Sequence, residues 1–174
     1  MKDKTQPLAL ENFQGKVFRL TEELLKRGCR AAAESPRQRM IYPIQRTQDA
    51  AVQRLLNFLQ PDTYIRPHCH PEPHAIESIQ LLQGALGYQI FRADGSVKER
   101  FMLRAGAAGS VVDIEPGVWH NFVIFEADTV IIEFKKGPYN ARTDKHFAAW
   151  APAEGEAEAD GLLREWKAQQ FSDG

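Results

Sequence analysis

The chain has 174 residues, 43% of them apolar and 26% charged, with a net charge of −1, the make-up of a single globular domain with a real core. That balance gives no electrostatic case for a nucleic-acid or anionic-membrane partner, and no apolar run approaches the ~20 residues of a membrane-spanning helix. The opening MKDKTQPLALENFQGK lacks the apolar core and cleavage site of a secretory leader, so a cytoplasmic protein is expected. Its two cysteines, Cys29 and Cys69, are then expected to stay reduced.

The first 60 residues read as a helical extension with breaks. Val17, Leu20, Leu24, Leu25, Cys29 and Ala32 recur at helical spacing, and Pro36 ends that helix by pushing Ser35 out of the α region. RQRMIYPIQ follows as a short extended piece. Asp49 is placed to cap a second short helix over AVQRLLNFL, with Val52, Leu55, Leu56 and Leu59 on one face; a strand is the alternative. Residues 61–140 change character. TYIRPHCH, ESIQLLQG, LGYQIFRAD, SVKERFMLR, SVVDI, HNFVIFEA and TVIIEFKK are short runs rich in branched and aromatic residues, separated by turn signals such as Asp94-Gly95. Seven or eight strands at this spacing predict a small antiparallel barrel or jelly roll. Residues 141–174 complete the single domain as a loop, an acidic Ala-rich stretch and a short helix near 160–171, packed on the barrel or on a partner subunit. With about 60 residues outside the barrel needing a surface to pack on, a homodimer is expected.

His68-Cys69-His70 is the most informative stretch. Side chains two apart on a strand share a face, so with His68 inward, His70, Arg66 and Tyr64 are inward too, and Cys69 is not. Glu77 opens the next strand and His120 opens a later one, after the turn Glu115-Pro116-Gly117. Three imidazoles and a carboxylate from separate strands can converge on one divalent transition-metal ion; the ligand set does not distinguish Fe, Mn, Ni, Co and Zn. His74 lies within reach as a replacement for Glu77 or a fifth ligand. Arg66, beside the site, calls for an anion: either Glu133 as an internal partner or an anionic substrate. Tyr64 and Tyr88 are the other candidates to touch a substrate.

In these residues the chain resembles the cupin superfamily. That family's first motif places His-x-His, then Glu, then Gly after six residues; His68, His70, Glu77 and Gly84 match it. The second is matched by Gly109, Gly117 and His120. The departures are Asp62 for Gly, six residues rather than three or four before Glu77, Pro116 one place late, and Ile124 for Asn. The spacing from Glu77 to Gly84 favours Glu77 over His74 as the ligand. VQRLLNFLQPDTYIRPHCHP, EFKKGPY and DKHFAAWAPAEG further resemble WbuC-type cupin metalloproteins, some encoded among polysaccharide genes. The resemblance implies a mainly β jelly-roll barrel with an N-terminal helical segment and a short C-terminal helix. It implies a bound metal ion and a small polar or anionic ligand, and it makes a sugar or sugar-nucleotide isomerase or epimerase the first activity to test. An iron-dependent dioxygenase and a non-enzymatic metal-dependent binding protein are the alternatives, and no general base beyond the metal ligands is evident in the sequence.

Overall fold

The computed structural model describes residues 7–173; the leader reading of residues 1–16 thus falls partly outside the described residues. Helix α1 (Glu22–Glu34) starts where Thr21 accepts a hydrogen bond from the Leu24 amide through its hydroxyl, and ends at Ser35, which is extended (φ −76°, ψ 134°) ahead of Pro36. Strands β1 (Arg39–Pro43) and β2 (Val52–Leu59) follow, then β3 (His68–Cys69), β4 (Glu77–Gln83), β5 (Ala85–Phe91), β6 (Val97–Arg104), β7 (Val111–Ile114), β8 (Trp119–Ile124), β9 (Thr129–Lys136), β10 (His146–Phe147), helix α2 (Ala157–Lys167) and β11 (Ser172–Asp173).

The strands form two facing sheets, ordered β1-β2-β9-β4-β7 and β10-β3-β8-β5-β6-β11. Named strand pairs are antiparallel except β11 with β6. This is the mainly β jelly roll the sequence implied, with a helix against each outer face. Helix α1 packs its Cys29 and Ala32 with Leu56, Phe58 and Val130 behind the five-stranded sheet. Helix α2 packs Ala159, Leu163 and Trp166 against Phe91, Val123 and Tyr64 behind the six-stranded one. The order is therefore helix, sheet, interior, sheet, helix.

Residues 52–59 correct the helix expected there. Leu56 and Phe58 face α1, while Gln53, Leu55, Asn57 and Leu59 face the interior. A strand covered on both faces loses the alternation that marks a half-buried one, and three leucines within five residues, Leu55, Leu56 and Leu59, then mimic a helical stripe. The sheet accordingly begins at Arg39, inside the segment read as an extension to residue 60. The N-terminal residues that suggested a partner surface are packed on the chain's own sheet, with Ala9 bridging Ile41 and the Leu10 amide donating to the Ile41 carbonyl at 2.8 Å. Among the described residues no helix is long and apolar enough to cross a membrane.

Register sets the interior. Across the five-stranded sheet, directly opposed residues form rows: Glu77–Lys135–Gln53, then Ile79–Glu133–Leu55–Pro43, then Leu81–Ile131–Asn57–Ile41. On the facing sheet β5 and β8 oppose Ile90 to His120, Tyr88 to Phe122 and Leu86 to Ile124. One end of the interior is therefore filled by an apolar cluster containing Leu81, Leu86, Leu103, Ile124 and Ile131, and the other end carries the charged side chains.

Candidate metal centre and its cavity

His68 on β3 lies directly opposite His120 on β8. His70, one residue past β3, accepts a hydrogen bond from the Gly117 amide at its carbonyl (2.9 Å). Gly117 has φ +80°, a left-handed conformation that glycine adopts without strain. The Pro116-Gly117 turn thus ties the His-x-His segment to the strand bearing the third histidine.

All three rings are backed in the same way. The Nδ1 atoms of His68, His70 and His120 face the backbone carbonyls of Arg66 (2.9 Å), Asp144 (2.5 Å) and Val118 (2.9 Å). A carbonyl only accepts, so each Nδ1 carries the proton and each Nε2 is left as a lone pair. The imidazoles are buried, 0–4% exposed, and their ligand atoms lie within 4.8 Å of one another. Burial pulls the His68 pKa well below its ordinary value, which keeps that ring neutral and able to ligate.

Glu77 stands between two of them. Its carboxylate oxygens are 3.3 Å from His70 Nε2 and 3.1 Å from His120 Nε2, yet neither nitrogen has a hydrogen-bond partner. An ionised carboxylate facing imidazole lone pairs is a set of acceptors turned on one another, and a cation between them resolves it. The donor set suits a divalent transition metal, and the carbonyls behind the rings are the outer support such ligands use. His74 is outside this group: it is exposed, in the loop before β4, with φ +63°. The longer linker before Glu77 bulges into solvent.

The other expected site residues separate. Tyr64 corrects the strand-parity reading. Residues 61–67 form no strand, so parity does not carry back from His68; Tyr64 faces α2, stacked on Trp166 at 5.7 Å, and its hydroxyl donates to the Pro152 carbonyl (2.9 Å). Tyr88 is fully buried in the apolar cluster, its ring parallel to His120 at 5.7 Å and its hydroxyl without a partner; it lines no part of the cavity. Arg66 does line it, lies over Phe147 (5.6 Å) and donates to the Ala148 carbonyl (2.8 Å). Its expected partnership with Glu133 is not formed. Glu133 instead accepts from Asn57 Nδ2 (3.0 Å) and lies 3.6 Å from Lys135, which pairs with Asp144 at 2.8 Å.

The cavity itself has a volume of about 640 Å³ and is walled in part by His68, Glu77, Glu133 and Lys145. Sequence reasoning missed Lys135, Asp144 and Lys145 as parts of this site. Ile131, Glu133 and Lys135 alternate along β9, and that charge on the inward parity was a readable signal. Asp144 and Lys145 sit in an aperiodic loop that offered none.

Comparisons with known proteins bear on the fold. Residues 20–103 match a family model described as a domain of unknown function, DUF6016. No curated protein matches the sequence. Among solved structures, an uncharacterized conserved protein with a double-stranded β-helix domain from Klebsiella pneumoniae superposes with a TM-score of 0.51 at 18% identity, over 78% of this chain and 98% of that one. KdgF from Halomonas sp. gives 0.48 at 16% identity, over 63% and 87%. A mutant of Bacillus subtilis oxalate decarboxylase gives 0.47 at 18% identity, over 63% of this chain and 27% of that one. With its two-sheet topology, the chain has a double-stranded β-helix fold of the cupin type, holding three buried histidines that can bind a metal ion.

Proposed function

We propose that this protein is a metal-dependent isomerase or epimerase of a small anionic molecule, with His68, His70, Glu77 and His120 holding one divalent transition-metal ion. The observation that carries the reading is the meeting of unpartnered Nε2 atoms with the Glu77 carboxylate in a buried pocket. Bound there, such an ion supplies Lewis acidity to a carbonyl or hydroxyl oxygen. The chain's own residues supply the rest. The divalent ion, Lys135 and Lys145 together outweigh Glu77, Glu133 and Asp144 by one positive charge, which favours an anion in the cavity. Glu133 is the proton carrier that the sequence left unidentified. It is on the cavity wall and 8% exposed, and Asn57 and Lys135 hold its orientation. The dioxygenase reading draws on the same four ligands and on no further feature.

The test is solvent-deuterium incorporation by metal-loaded protein into a panel of aldoses, ketoses, 2-hydroxy acids and 2-oxo acids. Incorporation without dioxygen uptake is expected, lowered at least 100-fold in Glu133→Gln while that variant keeps one metal ion per chain. Dioxygen consumption by the iron-loaded form, or incorporation that is indifferent to Glu133→Gln, overturns it.

A further inference from the structure

The cavity is not uniformly polar. It runs from Glu77 on β4 across β9 and β2 to β1, and its character changes along the way. On the row Ile79–Glu133–Leu55–Pro43 the charge of Glu133 gives way to Leu55 and Pro43, and Ile41 on the next row continues the apolar wall. Ile65, Phe122 and Leu59 also line the cavity. Strand spacing puts β1 two steps, ~10 Å, from β9. Beside its charged end the cavity thus offers an apolar stretch, and Arg37, Arg39 and Glu154 form the far rim beyond it.

Lys145 sets the sign of the polar end. It lines the cavity from the loop before β10 and, among the described residues, belongs to no ion pair or side-chain hydrogen bond. The nearby acids are committed elsewhere: Asp144 pairs with Lys135, Glu133 is held by Asn57 and Lys135, and Glu77 faces the histidines. Lys145 is half-buried on that wall with no side-chain partner, and a ligand's anionic group would supply one. On the same side Phe147 lies between His68 (6.0 Å) and the Arg66 guanidinium (5.6 Å), closing the wall with an aromatic face. Sugars, by contrast, need many hydrogen-bonding partners, and the polar side chains of this wall are already engaged, Asn57 with Glu133, Gln45 with Gln53, and Arg37 and Arg39 with Glu154.

We propose that the ligand is an amphiphilic organic acid, its carboxylate taken by Lys145 beside the metal ligands and its hydrocarbon body laid along Ile41, Leu55 and Leu59. This rests on reading the cavity as the chamber of the proposed metal centre. The probe is octanoate, compared with acetate, 1-octanol and gluconate by titration calorimetry on metal-loaded and metal-stripped protein. Octanoate should bind at least tenfold more tightly than acetate or gluconate. Lys145→Met should weaken octanoate at least fivefold and leave 1-octanol unchanged. Leu55→Gln should weaken octanoate and leave acetate unchanged. Both variants should keep wild-type metal content and melting temperature, which excludes misfolding. Equal affinities for octanoate and acetate, preference for gluconate, or octanoate binding indifferent to Lys145→Met overturns the proposal. One metal ion per chain with no octanoate binding removes this proposal alone. Lys145-dependent octanoate binding in a chain that loads no metal sustains it and removes the metal reading.

Discussion

The two ends of the barrel interior are built on the same strands and do opposite things. Along the inward face of β9 the residues run Ile131, Glu133, Lys135; along β8 they run Ile124, Phe122, His120; along β4, Leu81, Ile79, Glu77. Two or four residues therefore separate side chains that only pack from side chains that carry charge or lone pairs. The apolar end removes hydrocarbon from water and supplies folding free energy. The polar end withdraws ionised groups from water, at a cost that pairing and hydrogen bonding offset and that the proposed cation would offset further. A function at one end is sustained by the packing of the other.

The largest effects come from exchanging the roles of the two ends. Leu86 is completely buried in the apolar cluster, and Leu86→Ala should cost about 2–5 kcal/mol, lowering the melting temperature by about 5–15 °C, with metal content still near one ion per chain. His68→Ala should do the reverse. It should remove the metal seen by elemental mass spectrometry and abolish the rise in melting temperature on metal addition, which exists because the ion binds the folded state, while costing the metal-stripped chain far less than Leu86→Ala. Equal metal loss in both variants would show that the two ends are not separable.

Tyr88 marks the boundary. Its ring belongs to the apolar cluster and lies parallel to His120, and its hydroxyl is buried without a partner. Burial raises its pKa well above the ordinary value, with the charges of Glu77 and Glu133 adding to that, so it stays a neutral phenol. Removing an unsatisfied buried hydroxyl is close to neutral or stabilising. Tyr88→Phe should therefore leave the melting temperature of metal-stripped protein unchanged or raise it, within about 1 kcal/mol, and leave metal stoichiometry alone. A loss above ~2 kcal/mol would put the hydroxyl in the polar network and move the boundary by one residue along β5.

The same contrast explains what the sequence could reveal. From Glu77 to Lys136 each strand was legible within three residues at either end, because short β runs alternate with strong turn signals such as Asp94-Gly95. His68 and His70 were legible because spacing two apart is a strand property, and His120 because it opens a strand after a turn and matches the second cupin motif. Residues 52–59 misled because α1 covers one face and the cavity opens on the other, so both parities carry apolar side chains. Tyr64 misled because alternation was extended through residues 61–67, where no ladder enforces it. Lys145 was silent because its position is set by a loop crossing the barrel mouth, and nothing in local periodicity encodes such a crossing.

The smallest expected effect lies at the cavity's far rim, where charges are paired rather than waiting. Glu154 takes a two-pronged bond from Arg37 (2.7 and 3.0 Å) and a further one from Arg39 (2.5 Å). Burial raises the Glu154 pKa, but the bonds and charges of Arg37 and Arg39 outweigh it and hold the carboxyl below its ordinary range. A carboxyl depressed by folding adds stability that is complete above its unfolded pKa and is lost as pH falls through the folded one. The window therefore opens below about pH 4.5. The Glu154 side chain is 36% exposed, so solvent screening limits the contribution to about 1 kcal/mol. Melting temperatures measured from pH 6 to pH 3 should fall more steeply for the wild type than for Glu154→Gln, with the gap between them closing toward pH 3. Parallel curves would mean that this carboxylate, like Lys145 across the cavity, contributes nothing until a ligand arrives, and the distinction between a satisfied rim and an expectant centre would fail.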